Sequence, residues 1–348
     1  MAAYWPGISG IATTPRWDIG AALAIPLFFA PRLRMTAASV FGLLLVGFLI
    51  LSLSWSEGWR DGVDQALKIT VIAGAFAYGM TLDHLDGFLK GAACGLMVSL
   101  GVVVLQAFGS DWFPFHLRPA GLFFNPDYMA EVTACVIAIA LWRLPLWWSL
   151  VLVPLVVVSE ARGAILALAV TGIAMLGRQP LRIKAALLAG VMGLVAISVH
   201  RGVGIQTRLD LWRDTISGLT VWGHGLGSFW ETFPHYAHAA DISTWRPEHP
   251  HNEALWLTYE GGVVGVILGL GFCVALVWNI RGPSRAILAV VGIEALFGMP
   301  LHDPATALFV ACCAGHLSRD GGCVRDLAVA CRLALRPRLA AALARNRA

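Results

Sequence analysis

The chain has 348 residues, of which 58% are hydrophobic and 13% are charged, and its formal net charge is +4. An ordinary soluble domain carries about 25% charged residues, so this composition excludes a water-soluble globular protein. It predicts a polytopic membrane protein that sits in the lipid bilayer, with room for about eleven spanning helices and one larger loop, and with no nucleic-acid partner.

Long apolar runs follow one another along the chain. In a bilayer each backbone amide must be satisfied within its own segment, and the runs lack the alternation of a barrel, so we predict an all-α fold. The predicted spans cover residues 17–30, 36–54, 63–81, 88–108, 127–142, 145–158, 162–177, 183–199, 254–279, 284–300 and 304–318. Residues 1–199 and 253–318 then form the transmembrane helices.

Basic residues in the short loops predict the orientation, because loops rich in Arg and Lys stay cytoplasmic. One threading places these short loops inside and turns the long loop over residues 200–252 outward. The tail over residues 319–348 carries seven Arg, and its apolar residues are spaced roughly as one helix face. We predict that this tail is a basic amphipathic helix on the anionic inner leaflet.

Histidine is concentrated in the long outward loop, which holds six of the ten: His200, His224, His235, His238, His249 and His251. A metal site is one interpretation, since imidazole is a common ligand. However, the loop has neither the Cys/His spacing of a structural zinc site nor a His-Glu-x-x-His helix. Hydrogen-bonding histidines of a hydrated interface are a second interpretation, and we expect no metal.

A site for an anionic substrate is the third interpretation. Arginine binds phosphate through bidentate, charge-assisted hydrogen bonds, and several arginines share the predicted outer face with the histidines. Arg162 lies at the outer end of a predicted span, where a charge is costly unless it is paired or functional. A snorkelling side chain or an ion pair with Glu160 would also account for it.

Four motifs follow one another in a fixed order. They are Arg118-Pro-Ala-Gly-Leu-Phe-Phe-Asn125-Pro126, Ser159-Glu-Ala-Arg162-Gly163, the pair Arg208-Leu-Asp-Leu-Trp212 and Gly223-His-Gly-Leu-Gly-Ser-Phe229, and His251-Asn252 followed by Gly262 and Gly265. In this order they resemble the O-antigen ligase and polymerase superfamily, bacterial enzymes that move glycans from undecaprenyl diphosphate at the outer face of the inner membrane. The glycines from Gly261 to Gly269 also predict close helix packing.

The resemblance implies a fold like that of GT-C glycosyltransferases, with residues 200–252 as a periplasmic catalytic loop in a multi-pass protein of the bacterial inner membrane. It also implies the reaction of an O-antigen ligase. A glycan on undecaprenyl diphosphate would be transferred to a hydroxyl of an acceptor such as lipid A-core, with inversion and without a metal or another cofactor.

The resemblance and the residue chemistry agree on the roles of three residues. Arg162 and Arg208 would hold the diphosphate and stabilise the charge that develops as the glycosidic bond breaks. His251, an imidazole that can titrate near neutral pH, would deprotonate the acceptor hydroxyl. The supporting residues are Asn252 and Glu260, which would orient His251 or the acceptor, together with Arg118, Asn125 and His249.

Two alternatives remain open. A polysaccharide or O-antigen polymerase would use the same donor and extend a growing glycan, and the motifs do not separate it from a ligase. A polysaccharide-related transporter or flippase is the alternative of another class, because Lys68, Glu131 and Glu294 fall within or near predicted spans and intramembrane charge often marks function. Substitution of those three residues, compared with substitution of the three predicted site residues, would separate the classes.

Overall fold

A computed structural model describes residues 34–109, 118–123, 125–175, 205–243, 246–280 and 282–319. Within these ranges the chain is helical and forms no strand, which confirms the all-α prediction. The predicted spans at 17–30 and 183–199 and the tail beyond residue 319 lie outside the described residues.

Eleven α-helices lie in the described ranges. They are α1 (Ala37–Ser52), α2 (Trp59–Thr81), α3 (Leu85–Ala107), α4 (Pro126–Arg143), α5 (Leu146–Ser159), α6 (Arg162–Met175), α7 (Ile205–Ser217), α8 (Phe229–Thr232), α9 (Glu253–Asn279), α10 (Ala286–Phe297) and α11 (Pro304–Ser318). Every apolar run predicted within the described ranges is a helix. Helices α7 and α8 lie in the stretch predicted as a loop.

Three of the described helical stretches are long and apolar enough to cross a membrane: Ala37–Trp55, Leu85–Ala107 and Glu253–Asn279. Leu51, Val157 and Val274 expose 62%, 60% and 64% of their surface. Such exposure of large apolar side chains would be unfavourable in water and suits contact with lipid. The chain therefore has the features of a membrane protein, while the total of eleven spans and the GT-C fold stay predictions.

At the starts of α4 and α11, an Asn or Asp side chain caps the helix directly before a proline. The Asn125 side chain accepts a hydrogen bond from the Asp127 amide at 2.9 Å, and Pro126 is the first residue of α4. Asp303 caps α11 in the same way, accepting from the Thr306 amide at 2.8 Å ahead of Pro304. Proline is tolerated at the first helical position because that amide has no helical acceptor. The Asn-Pro motif therefore fixes where α4 begins.

Helix α4 is the centre of the bundle. Its residues from Met129 to Ala140 are buried, and they pack among α3, α5, α6, α10 and α11. Helix α11 also packs against α2, where a Cβ on Gly79 would collide with the Cys312 carbonyl and one on Gly315 with the Phe76 carbonyl. Glycine permits this close approach of two backbones.

Helix α9 is bent sharply at Gly262, whose φ of 58° and ψ of −157° are not helical. Across the bend, Leu257 of the first arm lies against Gly265 and Gly269 of the second arm. A Cβ on Gly269 would lie 2.6 Å from the Leu257 Cδ2 atom. The close packing that the glycine spacing predicts is therefore confirmed, and it joins two arms of one helix.

Candidate functional site

His251 lies immediately before the bent helix, in a backbone conformation that side chains rarely adopt. Its φ is 52°, and Glu160 is the other non-glycine residue with positive φ in the described ranges. Such conformations cost about 1–3 kcal/mol and cluster at functional sites. Glu160 precedes Arg162 by two residues, so each strained residue belongs to a motif with a predicted site residue.

Asn252 fixes the position of His251. Its Oδ1 caps α9 by accepting from the Leu255 amide at 3.0 Å, and its Nδ2 donates to the Leu296 carbonyl at 3.0 Å. The next carbonyl, that of Phe297, accepts a hydrogen bond from Arg208 Nη1. Because adjacent carbonyls at the end of α10 hold both side chains, the start of α9 and the arginine of α7 are brought to one place.

The charges of the predicted site residues act on one another. Burial, and then the positive charges of Arg208 and His302, lower the pKa of His251 to about 4. Arg208 is exposed at the surface, yet partial desolvation of its guanidinium lowers its pKa; Asp127 opposes this shift and the charge of Arg162 adds to it. His251 is therefore uncharged at neutral pH and able to accept a proton, while Arg208 interacts both with it and with Arg162.

The segment before His251 is anchored to α7 as well. The Trp212 indole donates to the Pro250 carbonyl at 2.9 Å, and its ring centre lies 6.4 Å from that of Phe297. His249 is half-buried, and this burial, followed by the charges of His302 and His251, holds its pKa well below the usual value. The Arg-x-x-x-Trp motif thus contributes both a site arginine and a support for the histidine segment.

Arg118 connects the first two motifs. It donates through Nη1 to the Ser159 carbonyl and lies 3.3 Å from Asp127 through Nη2. The Ser159 hydroxyl in turn accepts from the Ala161 amide at 3.2 Å, directly before α6 begins at Arg162. The structure therefore places Arg118 as a link between the start of α4 and the turn that presents Arg162.

Glu260, predicted to orient His251 or the acceptor, lies in the first arm of α9 and is fully buried. Its carboxylate accepts from the Gly227 amide at 2.9 Å and from the Phe229 amide at 3.1 Å. Its backbone carbonyl accepts from the Gly225 amide at 2.9 Å. The described contacts of Glu260 therefore hold the glycine motif to the helix bend.

The glycine motif needs glycine for its conformation. Gly223, Gly225 and Gly227 have φ values of 73°, 88° and 79°, the left-handed region that other residues avoid. A Cβ on Gly227 would collide with the backbone of Gly62 in α2, and one on Gly223 with the Glu260 carbonyl. The motif is thus a loop packed closely against the bend of α9 and against α2. Backbone conformation and packing account for its glycines without a contact to substrate.

Three residues at or near the site were missed by the sequence analysis. Glu253 accepts from the Leu301 amide at 2.8 Å and lies 3.4 Å from His302 Nδ1. Asp214 is buried in α7, and its Oδ2 accepts three consecutive amides, those of residues 238–240, at 2.8–2.9 Å. In the sequence, His302 stands out only as a histidine in a short turn predicted to face outward. Asp214 lies in a helix that was not predicted.

Comparison with known protein families and with curated proteins gave no match. Within the described residues, no group of three or more His, Cys, Asp or Glu side chains is arranged to hold a metal ion. The resemblance to the O-antigen ligase and polymerase superfamily therefore rests on the four motifs, and the site is described by the contacts among them.

Proposed function

We propose that this protein is a membrane glycosyltransferase that transfers a glycan from undecaprenyl diphosphate to an acceptor hydroxyl at the periplasmic face of the bacterial inner membrane. The observation that carries the proposal is the position of Arg208 between two residues from remote parts of the chain, since its charge acts on His251 and the charge of Arg162 acts on it. Two cations beside a neutral imidazole suit a diphosphate leaving group and a hydroxyl that must lose a proton.

The reaction follows from these charges. The two guanidinium groups bind the diphosphate and stabilise its added negative charge as the glycosidic bond breaks. The acceptor oxygen attacks the anomeric carbon while its proton passes to the uncharged imidazole of His251. Direct displacement inverts the anomeric centre, and the arginines supply the countercharge. Asn252 keeps the imidazole in place through its bonds to Leu255 and Leu296.

A ligase that hands a finished glycan to lipid A-core is our first choice, and a polymerase that extends a growing glycan is the alternative with the same donor. Purified protein in liposomes, given an undecaprenyl diphosphate oligosaccharide with and without lipid A-core, separates them. Acceptor-dependent product of one length supports the ligase, and a ladder of longer lipid-linked glycans supports the polymerase. No turnover of the donor in either assay, or full turnover by His251→Ala, contradicts the proposal.

A transporter or flippase is favoured by one observation in the bundle centre. Glu131 and Glu294 are 8% and 2% exposed, and each has a carboxylate oxygen without a hydrogen-bond partner in the described residues. The third charge, Lys68, pairs with Asp64 one turn earlier on α2. Loss of function in Glu131→Gln and Glu294→Gln, with retained function in His251→Ala, would favour the transporter over the transferase.

A further inference from the structure

A carboxylate–imidazole pair lies next to the predicted base. Glu253 is the first residue of α9, and His302 lies in the turn before α11. The Nδ1 atom of His302 lies 3.4 Å from the Glu253 carboxylate, which also accepts the Leu301 amide at 2.8 Å. The bond to the backbone fixes the carboxylate, and the carboxylate fixes the ring of His302, as carboxylates fix functional histidines in other sites.

The rings of three histidines form a continuous row from this pair to the base. The ring centres of His302 and His249 lie 5.0 Å apart, and those of His249 and His251 lie 6.0 Å apart. Trp256 packs edge-on against His302 with centres 4.8 Å apart, so the end of the row has a fixed orientation. Such spacings allow proton transfer between rings directly or through one bridging water.

In the proposed transfer reaction, the row of histidines could carry a proton away from His251. Burial and two positive neighbours make His251 a weak base. A weak base can take a proton from an attacking hydroxyl, but it holds that proton poorly and must pass it on before the next turnover. Among the described residues, Glu253 is the carboxylate that pairs with the row, and it lies at the opposite end from His251.

We propose that His302, held by Glu253, is a positioning residue of the same site and receives the acceptor proton from His251 by way of His249. The inference deepens the proposed transferase function and rests on it. The oxygen–hydrogen bond of the acceptor breaks as the glycosidic bond forms, and the proton moves from His251 to His249 and then to His302. Glu253 stabilises the resulting imidazolium, and the proton leaves to water on the predicted outer face.

In the described part of the chain, charged and titratable groups around the row lie on α2, α7 and α9 and in the segments before α9 and α11. They are Glu253 and Glu260 of α9, His249 and His251 before it, Asp303 beside His302, Lys68 of α2, which acts on His249, and Arg208 of α7, which acts on His251. Glu260 is engaged by two backbone amides. Glu253 is therefore the carboxylate that pairs directly with the row.

The test uses His302→Gln and Glu253→Gln, with His235→Gln on the exposed loop as the matched histidine control. Glutamine at position 253 can still accept the Leu301 amide, so this variant removes the charge and keeps the backbone bond. We expect both site variants to lower kcat by about 10- to 100-fold, the usual effect of losing a residue that orients a site group, and to keep the donor KM within about twofold. The control keeps both values.

A second measurement does not depend on turnover. Titration of labelled histidines by NMR in nanodiscs gives the pKa of His251, which we expect to rise from about 4 in His302→Gln because a positive neighbour has been removed. Wild-type kcat in both variants, or a pKa of His251 unchanged by His302→Gln, overturns the inference. If the wild-type protein turns over no donor, the proposed function fails, and the titration alone still decides whether the row is coupled.

Discussion

The two ends of the first arm of α9 use similar residues for different purposes. At its start, Asn252 bonds to the end of α10 and Glu253 bonds to the turn before α11, directly after His251. At its other end, Glu260 and Gly262 turn inward and bind the backbone of the glycine loop. The first end brings titratable side chains together, whereas the second closes the helix bend and leaves no space.

One half of a single sequence motif is therefore proposed to take part in the reaction, and the other half holds the fold together. His251-Asn252 and the later glycines form a single motif in the sequence, and nothing in their spacing tells which half carries the reaction. In the structure the start of the helix carries His251, a non-glycine residue with positive φ on which the charge of Arg208 acts. Substitutions at the two ends are therefore expected to fail in different ways, by lost turnover at one and by lost folding at the other.

The largest expected effect is on folding, from Gly227→Ala. The new Cβ would meet the backbone of Gly62 and would have to adopt a φ of 79°, so we expect little folded protein. Gly95→Ala is the matched control, since a Cβ there meets open space within α3 and alanine is the better helix former. Membrane-fraction yield and detergent melting measure both. Normal yield of the Gly227→Ala protein would show that the loop is not packed as described.

Glu260→Gln tests the same end more mildly. Its amide nitrogen would face one of the two backbone amides that the carboxylate now accepts, which leaves a buried donor unpaired at a cost of about 1–3 kcal/mol. We expect a lower melting temperature while the folded fraction keeps donor turnover. Glu231→Gln on the exposed surface is the control. A protein of unchanged stability with lost turnover would instead place Glu260 in the reaction.

Asn252→Ala probes the start of the arm. It removes the helix cap, worth about 1 kcal/mol, and the bond to the Leu296 carbonyl. We expect a small loss of stability and a larger loss of turnover than Glu260→Gln gives, because His251 loses its positioning. Turnover normalised to folded protein measures this. Equal turnover in the two variants would remove the distinction between the ends.

The smallest expected effect is the change in turnover between neutral pH and the pKa of His251, about 4. His251 is uncharged from neutral pH down to about 4, so we expect turnover to fall only as the pH approaches 4. The unfolded chain protonates histidine below about 6.5, so the stability owed to neutral, half-buried His249 and His251 is present above pH 6.5 and is lost as the pH falls toward 4. A turnover limb near pH 6.5 would contradict the burial of His251.

The helices were predictable and the contacts of the site were only partly so. Apolar runs and caps such as Asn125-Pro126 predict where helices begin, because these signals are local. His251, Arg162 and Arg208 were predicted from motifs. The roles of Glu260 and His302 were not, because each depends on partners far away in sequence, Gly227 for the first and Glu253 for the second. Helix α7 was not predicted because it is amphipathic, and its sequence has no continuous apolar run of the kind that predicts a span.

The central claim is that Arg162 and Arg208 serve one site together with His251. This is tested by measuring turnover of an undecaprenyl diphosphate oligosaccharide by Arg162→Gln and Arg208→Gln, with Arg213→Gln, an exposed arginine further along α7, as the control. We expect a loss of at least about 100-fold in the first two at normal abundance, the effect of removing a group that stabilises developing charge, and wild-type turnover in the third. Full turnover by either of the first two proteins would contradict it.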